Sequence, residues 1–183
     1  SDWHLGAELK GVSRSPEHRR FLDWLFAQVQ RDKPDGLLVA GDVFHQAQPS
    51  AEAQQLYYAF LARLLELPKR PTVVVIAGNH DSAARLEAPR ELLASLKIHV
   101  VGSLPPERVA KSLLVPIGDD LVVAAIPYVS EYHLGVRVAG VPAEEVGAAL
   151  RDAFATLYGD YANLATATYP GRALVAMGHL PCG

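Results

Sequence analysis

Seven polar residues fall into four short clusters: Asp2-Trp3-His4, Gly41-Asp42, Gly78-Asn79-His80-Asp81 and Gly178-His179. Carboxylate and imidazole together suit borderline divalent metals such as Mn, Fe and Zn, whereas all-oxygen sets suit Mg or Ca. Asp2 and His4 alternate, so in extended backbone both would point to one side of a sheet and grip a single ion. Asp42 has two oxygens with which to bridge two ions. Asn79 offers a neutral amide oxygen and His179 a further imidazole. Two ions about 3.5–4 Å apart would clamp a phosphodiester and activate a water for in-line attack. His80, if left unligated, is free to touch the phosphate or protonate the leaving oxygen.

Taken singly these residues say less. An Asp or His behind a strand is more often a cap or a satisfied hydrogen-bonding group than a ligand. Gly-Asn-His-Asp behind a buried strand is the strongest of the four signals, and the ordered set outweighs any part. Other residues carry blander expectations. His18 reads as a solvated helical histidine and His99 as structural. His133, with Glu131 and Arg137, lines either a substrate groove or a plain surface loop. Trp3 is expected to pack under the site, and Trp24 in the core or an interface.

The elements that must position the clusters are legible as apolar runs. Thr72–Ile76 is short, β-branched and preceded by Pro68 and Pro71, the pattern of a buried strand. It ends at Ala77-Gly78, as Leu37–Ala40 ends at Gly41-Asp42 and Ala173–Met177 at Gly178-His179. Strands that end this way deliver polar residues to the carboxyl edge of a sheet, where open α/β folds keep their ligand sites. Ser1–His4 reads as the tail of a further strand lying upstream. Ser15-Pro16-Glu17 reads as an N-cap opening a helix to about Arg31, after a loop from Leu5 to Arg14. Pro49-Ser50 caps a second, from about Ala51 to Leu65, whose broad apolar face suggests contact with another chain. Pro89 starts a third, carrying Leu92, Leu93 and Leu96. Ile98–Val101 is a short strand. The runs 112–117 and 121–126 flank Gly118-Asp119-Asp120 as a hairpin. A helix runs from Pro142 to about Tyr158, and a loop from Asn163 to Gly171. One α/β domain with mixed sheets is expected.

Composition narrows the classes. The chain has 183 residues, half of them hydrophobic, and a net charge of −3. It carries no global basic footprint of a simple nucleic-acid-binding module. Bound divalent cations would supply positive charge that this count omits. A single cysteine, Cys182, rules out an internal disulfide framework and makes a reducing cytoplasm the expected compartment. No apolar run reaches the roughly 20 residues of a membrane span.

These motifs resemble those of the calcineurin-like metallophosphoesterases, and most closely the SbcD/Mre-type nucleases of double-strand-break repair. The runs Ser-Asp-Trp-His-Leu-Gly at 1–6, Ala-Gly-Asp-Val-Phe-His at 40–45 and Ala-Gly-Asn-His-Asp-Ser at 77–82 carry the likeness. Arg85-Leu86 to Glu91-Leu92 and Ile126-Pro127-Tyr128 are similar to the bacterial members. The resemblance implies a four-layer α/β/β/α sandwich with a two-Mn site at the strand ends. By that pattern Asp2, His4 and Asp42 hold one metal, and Asp42, Asn79 and His179 the other. His80 is the catalytic histidine, Asp81 supports the motif, and His45 influences how a DNA strand enters. The activity implied is Mn-dependent exo- and endonucleolytic cleavage of DNA by a homodimeric subunit partnered with an SbcC-like ATPase. A cyclic-nucleotide or other small phosphodiesterase, and a metal-poor docking scaffold, are the alternatives. The family pattern also includes a Gly-His-x-His motif, a DNA-binding cap and an ATPase-docking segment, none of which lies within residues 1–183. The chain alone is therefore expected to bind metal weakly.

Overall fold

The β-branched runs become strands, and their alternation decides which layer each side chain enters. In the computed structural model, residues 1–180 are described. Their elements in order are β1 (Glu8–Leu9), β2 (Val12–Ser13), α1 (Ser15–Asp32), β3 (Gly36–Ala40), α2 (Ala51–Leu65), β4 (Thr72–Ile76), α3 (Ala83–Glu87) and α4 (Arg90–Ser95). There follow β5 (Ile98–Val101), β6 (Leu114–Ile117), β7 (Leu121–Ala125), α5 (Glu131–Leu134), α6 (Ala143–Thr168) and β8 (Ala173–Met177). Strands β3, β4 and β5 form a parallel sheet with β4 central. A second sheet is mixed: β6 pairs antiparallel with β7 through the expected hairpin, and β8 lies parallel to β7.

Strand β4 shows how the layers arise. Successive side chains point to opposite faces. Val73 and Val75 join the core under α1 and α2, with Leu22, Val29, Phe60 and Leu64. Val74 and Ile76 join the second core, with Val123 and Ala125 of β7 and with Leu157 and Tyr161 of α6. A strand covered on both faces must be apolar throughout, which Val73 to Ile76 are. The resulting order of helices, sheet, sheet and helix is the sandwich that the resemblance implies.

Several local expectations are corrected. Ser15 is the first residue of α1, not its cap. Arg14 holds the cap position, and Ser13 Oγ instead accepts the Ser15 N–H at 3.2 Å. Ser50 does cap α2, its Oγ accepting from the Ala53 N–H. Within the expected loop 5–14, Lys10 and Gly11 both take positive φ and turn a hairpin, β1–β2. Helix α6 runs on through the segment expected to be loop, as far as Thr168. Leu157, Tyr161 and Ala165 recur every fourth residue and are buried on the second sheet, which outweighs the poor helix propensity of Asn163 and Thr166. Tyr161 also donates its hydroxyl to the Arg108 carbonyl. His18, expected on the solvated face, is buried. It lies one turn before Leu22 on the inward stripe of α1, and burial lowers its pKa, with Arg14 adding to the effect. Trp24 is not core: it is exposed, its ring tilted against Phe21. No helix of the described residues is long and apolar enough to cross a membrane. Cys182 lies outside the described residues.

Candidate metal centre

Strand register brings the clusters together. Ala40 pairs with Ile76, so Gly41-Asp42 and Ala77-Gly78-Asn79 leave the first sheet side by side. Ala125 pairs with Met177, so Gly178-His179 leaves the second sheet beside Ile126. Two bonds sew the sheet ends together: Tyr128 N–H donates to the Ala77 carbonyl at 2.8 Å, and His179 Nδ1 donates to the Ala40 carbonyl at 3.0 Å. Residues 2–5 run alongside 41–43, with the N–H groups of Asp2, His4 and Leu5 donating to the carbonyls of Gly41, Asp42 and Val43.

The approach at this rim is close enough to demand glycine twice. A Cβ at Gly41 would overlap the His179 imidazole, and Gly41 has φ +81°. One at Gly78 would overlap Asp42, backbone included. Each glycine admits a neighbouring cluster's side chain against the main chain.

Asp81 fastens the loops. Its carboxylate accepts from Val43 N–H (3.1 Å), Phe44 N–H (2.8 Å) and Gly78 N–H (2.9 Å), tying the Asp42 loop to the Asn79 loop. Burial pushes its pKa up, and these three donors oppose that push. The partners of its side chain in these bonds are backbone groups.

Asp2 and His4 bring Oδ1 and Nε2 within 4.0 Å of each other, but not through extended backbone. Both have positive φ, 58° and 46°, as has Asp42 at 50°. Non-glycine residues in this region cluster at functional sites, where surrounding contacts hold them. The expected strand geometry at Ser1–His4 is therefore corrected: among the described residues the pairing here is a single parallel bridge, Leu5 to Phe44.

The donor chemistry fits cations. His179 Nδ1 donates to the Ala40 carbonyl, and Nε2 lies 3.1 Å from Asn79 Oδ1 and 3.6 Å from Asp42 Oδ2. Three potential ligand atoms thus converge. On the other side of Asp42, His4 Nε2 lies 3.5 Å from Oδ2 and 4.0 Å from Asp2 Oδ1. The ligand atoms of Asp2, His4 and Asp42 lie within 4.8 Å of one another. The Asp42 side chain is only 4% exposed, and its ion-pair partners among the described residues are these two histidines. A buried carboxylate without a compensating charge costs several kcal/mol. Cations between these donors would remove that cost.

His80 and His45 form the outer side of the site. The His80 N–H donates to Asp42 Oδ1 at 3.0 Å, and its Nδ1 donates to the His45 carbonyl at 2.9 Å, leaving Nε2 free. The His4 and His80 ring centroids are 4.9 Å apart. Trp3 is buried and edge-on to Phe21 and Phe60, which anchors the Asp2–His4 segment on α1 and α2. Sequence reasoning gave no role to Tyr128, whose ring lies 6.5 Å from that of His179. With Asn79, His179 and Leu180 it lines a cavity of about 300 Å³. Its place directly after the Ile126 strand end was the available signal. His133 lies elsewhere, bonded to Ser130 Oγ within α5.

Parallel strands that end in Asp, Asn-His and His around one carboxylate define a phosphoesterase class, and residues 1–182 match the calcineurin-like phosphoesterase family. The chain belongs to that family. Within it, the chain is 40% identical over 193 residues to the SbcD component of the nuclease SbcCD from Rhodobacter capsulatus, an alignment that covers all of this chain and 47% of that protein. It is 42% identical over 135 residues to the protein of the same name from Bacillus subtilis, covering 73% of this chain and 34% of the relative. With that of Escherichia coli K12 it shares 44% over 103 residues, 56% of this chain and 25% of the relative. The chain thus spans less than half the length of each of these relatives.

Proposed function

We propose that this chain is the catalytic domain of a Mn-dependent DNA exo- and endonuclease, working within an SbcCD-like complex. The observation that carries the reading is the convergence of Asp2, His4, Asp42, Asn79, His80 and His179 at one sheet edge, in a chain similar to SbcCD nuclease components. Asp2, His4 and Asp42 would hold one ion, and Asp42, Asn79 and His179 a second. Bound there, two divalent ions supply Lewis-acid charge against a phosphodiester and its anionic transition state. Asp42, buried between the two donor sets, would contribute to both.

The remaining residues act on the substrate. His80 presents Nε2 outward because Nδ1 is committed to the His45 carbonyl. Neutral, that nitrogen accepts a hydrogen bond; as imidazolium it donates one to a phosphate oxygen or protonates the leaving oxygen. Asp81 keeps the two loops in register, and His45, whose ring lies beside those of His4 and His80, would influence how a DNA strand enters. DNA and an SbcC-like ATPase are the partners, with a second copy docking through α2 and α4. Tyr58, Leu92 and Leu96 are exposed on those helices and at the end of α4. The cytoplasm is the compartment. One observation favours the alternative of a small phosphodiesterase: the net charge of −3 gives no general attraction for a polyanion.

The test is hydrolysis of linear duplex DNA against cyclic and other small phosphodiesters, with Mn, by the intact protein. Cleavage of DNA that falls by about 10²–10⁴-fold in His80→Ala, with Mn binding retained, is expected. Hydrolysis of small diesters alone would move the chain to the alternative.

A further inference from the structure

His4 belongs to two overlapping donor sets. One is the oxygen-rich group with Asp2 and Asp42. The other is purely nitrogen: the ligand atoms of His4, His45 and His80 also lie within 4.8 Å of one another. We propose that His4, His45 and His80 form a second, competing metal site that selects Zn²⁺ or a similarly nitrogen-seeking cation and shuts the catalytic centre.

Ring geometry supports this. The centroids are 4.9 Å apart for His4–His80, 5.5 Å for His4–His45 and 5.8 Å for His45–His80. Imidazoles radiating from one tetrahedral ion at the usual Zn–N distance of about 2.0–2.1 Å have centroids about 5 Å apart. The centroid spacings are therefore close to those a common ion requires, and rotation of the rings, of which His45 and His80 lie nearly parallel (18°), would bring the nitrogens onto it. The nitrogens are available. His80 Nδ1 is occupied by the His45 carbonyl, which leaves Nε2. The Nδ1 atoms of His4 and His45 are buried without a partner, and His4 Nε2 is the atom that faces Asp2 and Asp42. Three imidazoles with an open fourth position suit Zn²⁺ or Cu²⁺, whereas the set containing Asp2 and Asp42 suits Mn²⁺.

The two sets share the His4 imidazole, so ions on them compete for that ring. An ion on the three histidines takes His4 from Asp2 and Asp42 and occupies the Nε2 of His80. Zn²⁺ would then inhibit in the presence of Mn²⁺. That consequence for activity rests on the proposed role of His80, whereas the binding claim does not.

Binding is tested with the intact protein by Zn²⁺ and Mn²⁺ calorimetry, and by the visible absorption of Co²⁺ as a probe of tetrahedral nitrogen ligation. His45→Ala is expected to weaken Zn²⁺ binding at least about tenfold and to abolish the tetrahedral Co²⁺ band, with Mn²⁺ affinity nearly unchanged. Asp2→Asn is expected to do the reverse. Zn²⁺ affinity unchanged in His45→Ala, or lost only in Asp2→Asn, overturns the site. An intact protein that binds Zn²⁺ as expected but cleaves no DNA would sink the nuclease reading and leave this site standing.

Discussion

At the residue scale, Asp42 and Asp81 are two neighbouring carboxylates given opposite tasks by their surroundings. Asp81 is saturated by three backbone N–H groups, so its charge is spent on structure. Asp42 receives one N–H from His80, and its other oxygen faces two imidazoles. Asp81→Ala would strand buried donors at roughly 1–3 kcal/mol each. Urea denaturation should show a loss of at least the amount for one donor, and Mn binding should weaken as the loops separate. Asp42→Asn keeps the volume and the His80 contact but removes the charge. Its stability without metal should equal or exceed that of the wild type, while Mn binding collapses; a stable variant that binds Mn normally would deny Asp42 its bridging place. Gly78→Ala has no such option. Its Cβ meets Asp42 backbone, which cannot swing aside. Loss of soluble folded protein or a marked drop in melting temperature is expected.

At the element scale, α1 carries a pH dependence. Burial, followed in weight by the neighbouring Arg14, lowers the pKa of His18 below its ordinary 6.5, and Glu17 opposes this weakly. The unfolded chain then binds the proton more tightly than the folded one. The contribution of His18 to stability is present above about pH 6.5 and is lost as pH falls toward its folded value. His4 and His45, on the segments under which α1 packs, add a small repulsion to the same effect. The difference between wild type and His18→Gln isolates the residue. In chelator, the wild-type urea midpoint should fall more steeply than that of the variant between pH 7.5 and 5.5. Parallel slopes would show that His18 carries no such burden. This element also shows what a sequence withholds. The apolar runs behind Asp42, Asn79 and His179 were legible as short strands, although only β4 is buried along almost its whole length. The burial of His18 was not, because a lone histidine on a helix gives no sign of which stripe will meet Trp3 and the loops. The extent of α6 was hidden for a related reason: Asn163, Thr166 and Thr168 are weak helix formers, and packing of Leu157, Tyr161 and Ala165 on the second sheet outweighs them. The positive φ of Asp2 and His4 was hidden too, since alternating residues look extended until the Gly41–Val43 carbonyls fix their N–H groups.

At the scale of the whole molecule, the two sheets meet with their carboxyl ends at one rim, and the site is a property of that meeting. The repeated clusters behind β3, β4 and β8 forecast this convergence, whereas Asp2 and His4 reach the rim from irregular backbone. On another face, Leu92 is 67% exposed and stands, with Tyr58 and Leu96, in the α2–α4 region proposed for a second copy. A stable dimer buries roughly 800 Å² on each partner. Light scattering should report a dimer for the intact protein and a monomer for Leu92→Glu; a wild-type monomer at high concentration would remove that interface.

The arrangement stands on Asp42 lying between two cations. Crystals of the intact protein soaked in Mn²⁺ and measured at the Mn absorption edge test it most directly. Two anomalous peaks about 3.5–4 Å apart are predicted, one reached by Asp2, His4 and Asp42 and the other by Asp42, Asn79 and His179. A single peak, or peaks that leave Asp42 untouched, would contradict it.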